Sequence, residues 1–173
     1  MKKARTRSAF AGLLTISIAA TAVAGSAEQE AYDHDVGRVQ GYGMMAAATA
    51  AKCSAMFPNT EAAIVRATQQ FQMQNRRALQ EVASQWKAYV ERDSKAANLP
   101  ATGYASYLER QISRELADLF LRLGGQQSLQ AQTYCEKLPS TLEAMFVETR
   151  FAPELSQMRN CSSAGTCPNL KAE

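Results

Sequence analysis

The residues of this 173-residue chain whose types and spacing bear on chemistry are few: one histidine, four cysteines and some short motifs. Gly41-Tyr42-Gly43-Met44-Met45-Ala46 matches G-x-G-x-x-A. In that pattern glycines turn a strand sharply into a helix whose N-terminal amides hold a pyrophosphate. The chemistry needs a hydrophobic strand just before it, and Asp33-His34-Asp35-Val36-Gly37-Arg38-Val39-Gln40 is not one. Interior glycines cost a helix about 1 kcal/mol each relative to alanine. The small residues from Gly37 to Ala48 therefore read as a smooth helix face for close approach by a neighbour.

Ser84-Gln85-Trp86-Lys87 fits S-x-x-K, the nucleophile motif of serine β-lactamases and penicillin-binding proteins, but the S-D-N and K-T-G companions are missing. His34 stands between Asp33 and Asp35, and three consecutive side chains on a helix point in different directions. A di-iron bundle needs two Glu-x-x-His motifs, and covalent haem needs C-x-x-C-H; neither is present. Met45, Met56 and Met145 fall at helical core positions and read as gap-fillers. Glu109, Glu115 and Asp118 share a helix with Arg110, Arg114 and Arg122 and read as surface charge. The sequence thus assigns no catalytic residue, no metal site and no cofactor, and the expectation is that the protein is not an enzyme.

The cysteines carry the most information. Cys53, Cys135, Cys161 and Cys167 contain no C-x-x-C spacing, and one histidine does not complete a zinc site. An even count in an oxidising compartment reads as two disulfides. The compartment follows from the first residues. Lys2, Lys3, Arg5 and Arg7 precede an uncharged run from Ala9 to Ala24, and Gly25-Ser26-Ala27 offers a small-x-small cleavage site. This is the layout of a secretory signal peptide, cleaved after Ala24 or Ala27. The run is short for a transmembrane helix, which needs about 20 apolar residues. The domain organisation expected is therefore a signal over 1–27, a helical domain over 28–160, and a disulfide loop with a polar tail over 161–173. A periplasmic or secreted location is expected, without stable membrane insertion after cleavage.

The chain carries 19 Lys plus Arg against 16 Asp plus Glu, a net charge of +3. Four of those basic residues lie in the signal. The remaining 146 residues hold 15 bases against 16 acids, a balance of −1. A nucleic-acid partner is not expected, because such binding needs many cations to displace counterions from phosphates.

The elements that must position these residues are helical throughout, since Ala, Gln, Glu, Arg and Leu dominate and no strand-like alternation occurs. A first helix is expected over 33–57, with Tyr42, Met45, Thr49, Cys53 and Met56 on one face. Pro58 and Asn59 interrupt, and a long second helix over 60–97 carries Ile64, Ala67, Phe71, Ala78, Val82, Trp86 and Tyr89 inward. A third over 103–123 uses Tyr104, Leu108, Ile112, Leu116, Leu119 and Leu123, and Gly124-Gly125 closes it. The fourth, over 126–151, turns Leu129, Cys135, Leu138, Leu142, Met145 and Phe146 inward. Pro139 should kink it between Cys135 and Pro139.

Four such helices with short loops make an all-α, antiparallel up-down-up-down four-helix bundle with a disulfide-closed C-terminal loop. Cys53, late in the first helix, and Cys135, early in the last, then fall near the same end. The expected bridges are Cys53–Cys135 and Cys161–Cys167. Chain entropy gives roughly 4.5 kcal/mol for the long loop and roughly 2.4 kcal/mol for the short one, as upper figures.

The polar stretch Thr68 to Arg77 interrupts the second helix's pattern. Gln74 or Asn75 must occupy the inward seam there and fix register by a polar contact. The alternative is a contact surface for a protein partner, using Phe71, Met73, Arg76 and Arg77 together with the Cys161 to Cys167 loop. The function expected is protein binding, as an inhibitor, immunity-type factor, chaperone or envelope-assembly partner. Its competitor is a carrier of a small apolar ligand or haem, lined by Tyr42, Met45, Leu142 and Phe146.

Overall fold

A computed structural model describes residues 27–98 and 100–167. The expected signal segment, Ala27 apart, and the polar tail after Cys167 lie outside the described residues. Among those residues there are seven α-helices and no strand: α1 (Ala27–Met56), α2 (Glu61–Gln74), α3 (Arg76–Ala96), α4 (Ala101–Arg122), α5 (Leu129–Glu143), α6 (Val147–Arg150) and α7 (Ala152–Ala164). A single 3₁₀ turn, Pro58–Thr60, joins α1 to α2. None of these helices is long and apolar enough to cross a membrane.

The all-helical expectation is met, but four runs have become seven helices for identifiable reasons. The second is interrupted at Asn75, whose φ of −106° and ψ of 5° leave the helical region. The Asn75 amide Nδ2 donates to Phe71 O at 2.9 Å, the same carbonyl that accepts its backbone N–H at 3.1 Å. An Asn side chain that bonds its own preceding turn competes with the helix ladder.

The fourth run stops at Glu143 rather than continuing to residue 151, and α5 passes through Pro139 before it ends. Leu129 and Phe146, expected inward, are 76% and 51% exposed. Leu129 is the first residue of α5, behind the Ser128 cap whose Oγ accepts the Ala131 N–H at 3.0 Å. Phe146 sits in the extended turn before α6. In both places the helical period that would have carried the side chain inward does not apply.

Beyond the expected end of the fourth helix at residue 151 the chain forms α7, which continues across the expected boundary at residue 160 into the cysteine loop. α1 is the central helix, in contact with α2, α3, α4, α5 and α7. Its buried face begins earlier than expected, at Tyr32, Val36 and Val39, and continues through Tyr42, Met45 and Cys53. Gly43 provides the close approach anticipated for the small residues: a Cβ there would meet Leu79 Cδ2 of α3 at 3.0 Å.

Both disulfides form with the expected partners. Cys53–Cys135 ties the end of α1 to α5 and is wholly inside the main core with Ile64, Phe71, Leu138 and Leu142. A second, smaller core lies where α3 meets α4, around Tyr89, Tyr104 and Leu108.

Candidate functional site

The interruption at Asn75 organises the surface around it. Asn75 is 1% exposed. Its Nδ2 also donates to Met145 O at 2.8 Å, and its Oδ1 accepts the Val147 N–H at 2.7 Å. Beside it, Gln74 Nε2 lies within 3.0–3.4 Å of three carbonyls, those of Met145, Glu143 and Leu142. Leu142 O, which also accepts the Met145 N–H at 3.1 Å, and Glu143 O lie in the last turn of α5, Met145 O lies just beyond it, and the Val147 N–H opens α6; helix termini leave such groups short of internal partners. Two side chains of one helix joint thus cap two others across some 70 residues of sequence. The register contact expected of Gln74 or Asn75 involves both residues.

The candidate contact residues separate around this joint. Phe71 is 3% exposed and belongs to the core, so it leaves the contact set. Its place on the helix follows from the same spacing that puts Ile64 and Ala67 inside. Met73 is 66% exposed, and Arg76 and Arg77 are also at the surface. The structure adds Phe146, which sequence periodicity had turned inward. Met73 precedes Gln74 and Phe146 follows Met145, so two exposed apolar side chains flank one hydrogen-bonded joint.

Charged side chains brace the same region. Arg77 Nε meets Glu81 Oε1 at 2.9 Å; Arg159 of α7 reaches Glu81 Oε2 at 2.7 Å and Glu148 Oε1 at 2.6 Å. Desolvation pushes the Glu81 carboxyl up, but hydrogen bonds from Arg159 and Arg77 outweigh it and hold the group below its ordinary range. This chain of charges ties α3, α6 and α7 together.

The other residues singled out by type are dispersed. His34 is exposed near Asp35, whereas Asp33 turns to Arg92 at 2.6 Å. Arg92 in turn holds Asp93 at 2.8 Å, and its guanidinium lies 5.4 Å from the centre of the Tyr89 ring. Tyr89 shares a 2.9 Å hydrogen bond with Tyr104, and desolvation, reinforced by this bond, raises its pKa. Among the described residues no three His, Cys, Asp or Glu side chains gather as a metal site. Ser84 donates to Glu81 O at 2.9 Å on an exposed helix face, and Lys87 pairs with Glu91. Of the expected ligand-lining residues, Tyr42, Met45 and Leu142 are buried. The Tyr42 ring packs edge-on to Phe151 at 5.2 Å, and the Arg150 guanidinium lies over it at 5.0 Å.

At the other end of α1 the structure forms a groove of about 600 Å³ between α1 and α7, lined by Glu28, Tyr32, Pro153, Ser156, Gln157, Asn160, Cys161 and Thr166. The sequence pointed to the Cys161 to Cys167 loop, but not to the side chains α1 contributes. Tyr32 lay outside the expected first helix, and only its placement against α7 reveals the groove. Comparison of the chain with protein-family models, with curated proteins and with solved structures finds no match.

Proposed function

We propose that this is an exported, non-enzymatic helical protein that binds a protein partner through the surface over the Asn75 joint. Met73, Phe146, Arg76 and Arg77 are the contact residues. The observation that carries the reading is the pairing of exposed Met73 and Phe146 beside a joint held by the Gln74 and Asn75 hydrogen bonds. A braced backbone has no ordering cost left to meet on binding, which favours the apolar side chains it carries as anchors. The two nearby arginines favour a partner segment with carboxylates at its edge. Export is supported by the signal-like first 27 residues and by the pairing of all four cysteines. The scaffold is proposed as an antiparallel bundle whose four runs are α1, α2 with α3, α4, and α5; the Cys53–Cys135 bridge near one end supports that arrangement.

The carrier reading has weaker support, since Tyr42 is packed between Phe151 and Arg150 and Phe146 half faces solvent. Affinity capture from the exported fraction under non-reducing conditions tests the choice. Proteins captured by the wild type should be lost with Met73→Asp/Phe146→Asp and weakened with Arg76→Glu/Arg77→Glu, with circular dichroism unchanged. Retention of every captured protein by both variants removes this surface from consideration. A visible absorption band or a retained small-molecule mass after native purification favours the carrier.

A further inference from the structure

The two disulfides differ in what can reach them. Cys53 and Cys135 are both fully buried. Cys161, by contrast, is only partly covered and forms part of the wall of the groove between α1 and α7, while its partner Cys167 is fully buried behind it. Gly165, in the left-handed conformation at φ 65°, reverses the chain after α7 and returns Cys167 to Cys161. An incoming thiol therefore has a route to one sulfur of one disulfide.

The surroundings of the two sulfurs also differ. Cys161 lies in the last turn of α7, the negative end of the helix dipole, and its Sγ is 3.3 Å from Met158 O. Both features disfavour a thiolate on Cys161. Cys167 Sγ is farther from the same carbonyl, at 3.8 Å; the Tyr32 hydroxyl lies 3.5 Å from both sulfurs, and the Ser162 hydroxyl lies 3.4 Å from Cys167 Sγ. Burial, helped by the Asp33 charge, pushes Tyr32 up to about 12, so it stays a donor at neutral pH. Negative charge released on Cys167 thus has both hydroxyls as donors, whereas charge released on Cys161 would have Tyr32 alone and the nearer Met158 carbonyl against it.

We propose that Cys161–Cys167 is a thiol–disulfide exchange site whose substrate is an external thiol entering by the groove, with Cys161 as the attacked sulfur and Cys167 as the leaving group. The thiolate attacks Cys161 Sγ and forms a mixed disulfide with it. The Cys161–Cys167 bond breaks, and its electron pair leaves on Cys167 Sγ, which accepts hydrogen bonds from Tyr32 and Ser162 and then takes a proton from water. A second thiolate attacks the external sulfur of the mixed disulfide and releases Cys161, which is protonated in turn. Two external thiols are oxidised to one disulfide, and the protein gains two thiols. Leaving-group stability speeds such exchange, and access decides which sulfur is struck. Breaking the bridge frees Thr166, a wall of the groove, from its covalent tie to α7, while Cys53–Cys135 keeps the core closed.

The test treats the folded full chain with excess reduced glutathione, quenches with acid at intervals, alkylates, and maps peptides by mass spectrometry. Glutathione should appear on Cys161 and the alkyl label on Cys167, with the Cys53–Cys135 peptides still joined and the helical circular dichroism retained. Equal loss of both bridges, adduct on Cys167, or no exchange until the chain unfolds each overturns the proposal. Ser162 is exposed and also accepts from Gln85 Nε2 at 3.1 Å, so circular dichroism checks that Ser162→Ala keeps the fold; Ser162→Ala, whose hydroxyl faces Cys167, and Tyr32→Phe should each slow mixed-disulfide formation about threefold, as expected of a poorer leaving group. Unchanged rates in both variants remove the leaving-group role of Cys167.

Discussion

The molecule holds two cross-linked regions built on different principles. At one end of α1, Cys53–Cys135 joins residues 82 apart inside the core. At the other end, Cys161–Cys167 joins residues 6 apart beside an open groove. The first region restricts the whole chain and is dry; the second restricts one turn and faces water. A long loop closed by a bridge removes more unfolded-state entropy than a short one, so stability and chemical accessibility fall to opposite ends.

Removing the buried bridge gives the largest expected effect. Cys53→Ser/Cys135→Ser should lose about 4.5 kcal/mol in urea unfolding, an upper figure from chain entropy. A loss no larger than that of the other bridge would erase the contrast between the ends. Asn75→Ala comes next. It leaves the buried Val147 N–H without its 2.7 Å acceptor and removes the tie to Met145 O, a cost of about 3 kcal/mol measured in the same way. A cost under about 1 kcal/mol would mean that the α5 to α6 turn holds itself and that Asn75 merely fits it.

Cys161→Ser/Cys167→Ser should cost about 2.4 kcal/mol or less, with the helical spectrum intact. Loss of cooperative unfolding there would place that end within the core's cooperative unit rather than beside it. The smallest effect concerns the charges joining α3, α6 and α7. The Glu81 carboxyl is held below its ordinary value of 4.5, so its stabilisation is complete above that value and disappears as pH falls through its folded pKa. Because its arginine partners are partly exposed and solvent-screened, Glu81→Gln should cost a few tenths to about 1 kcal/mol at pH 7 and low salt. Thermal melts of the two proteins should converge at acid pH; a constant difference would assign the effect to packing.

Much of this was legible in the sequence because it depends on period and counting. Steps of three and four placed Cys53 and Cys135 on inward faces, and four buried or half-buried helical seams followed from the same spacing. What failed were the places where a side chain competes with the helix backbone. Asn75 was expected to occupy the seam of a continuous helix, and it does occupy the seam, but by bonding Phe71 O it also breaks the helix. The exposed Phe146 was misplaced because α5 ends at Glu143, where Gln74 Nε2 donates to the last carbonyls of the helix. Neither residue's own neighbours in sequence encode that encounter.

The sequence by itself determined the helical character and the polarity of the Thr68 to Arg77 stretch, since these rest on composition and on spacing along one chain; it made the two cysteine pairings a preference, which the structure decided. Only the tertiary structure decided that Asn75 and Gln74 cap helices some 70 residues away. It alone brought Tyr32 and Ser162 to the same sulfur. Those arrangements join residues across the fold, and a hydrogen bond between distant residues leaves no period for a linear reading to detect.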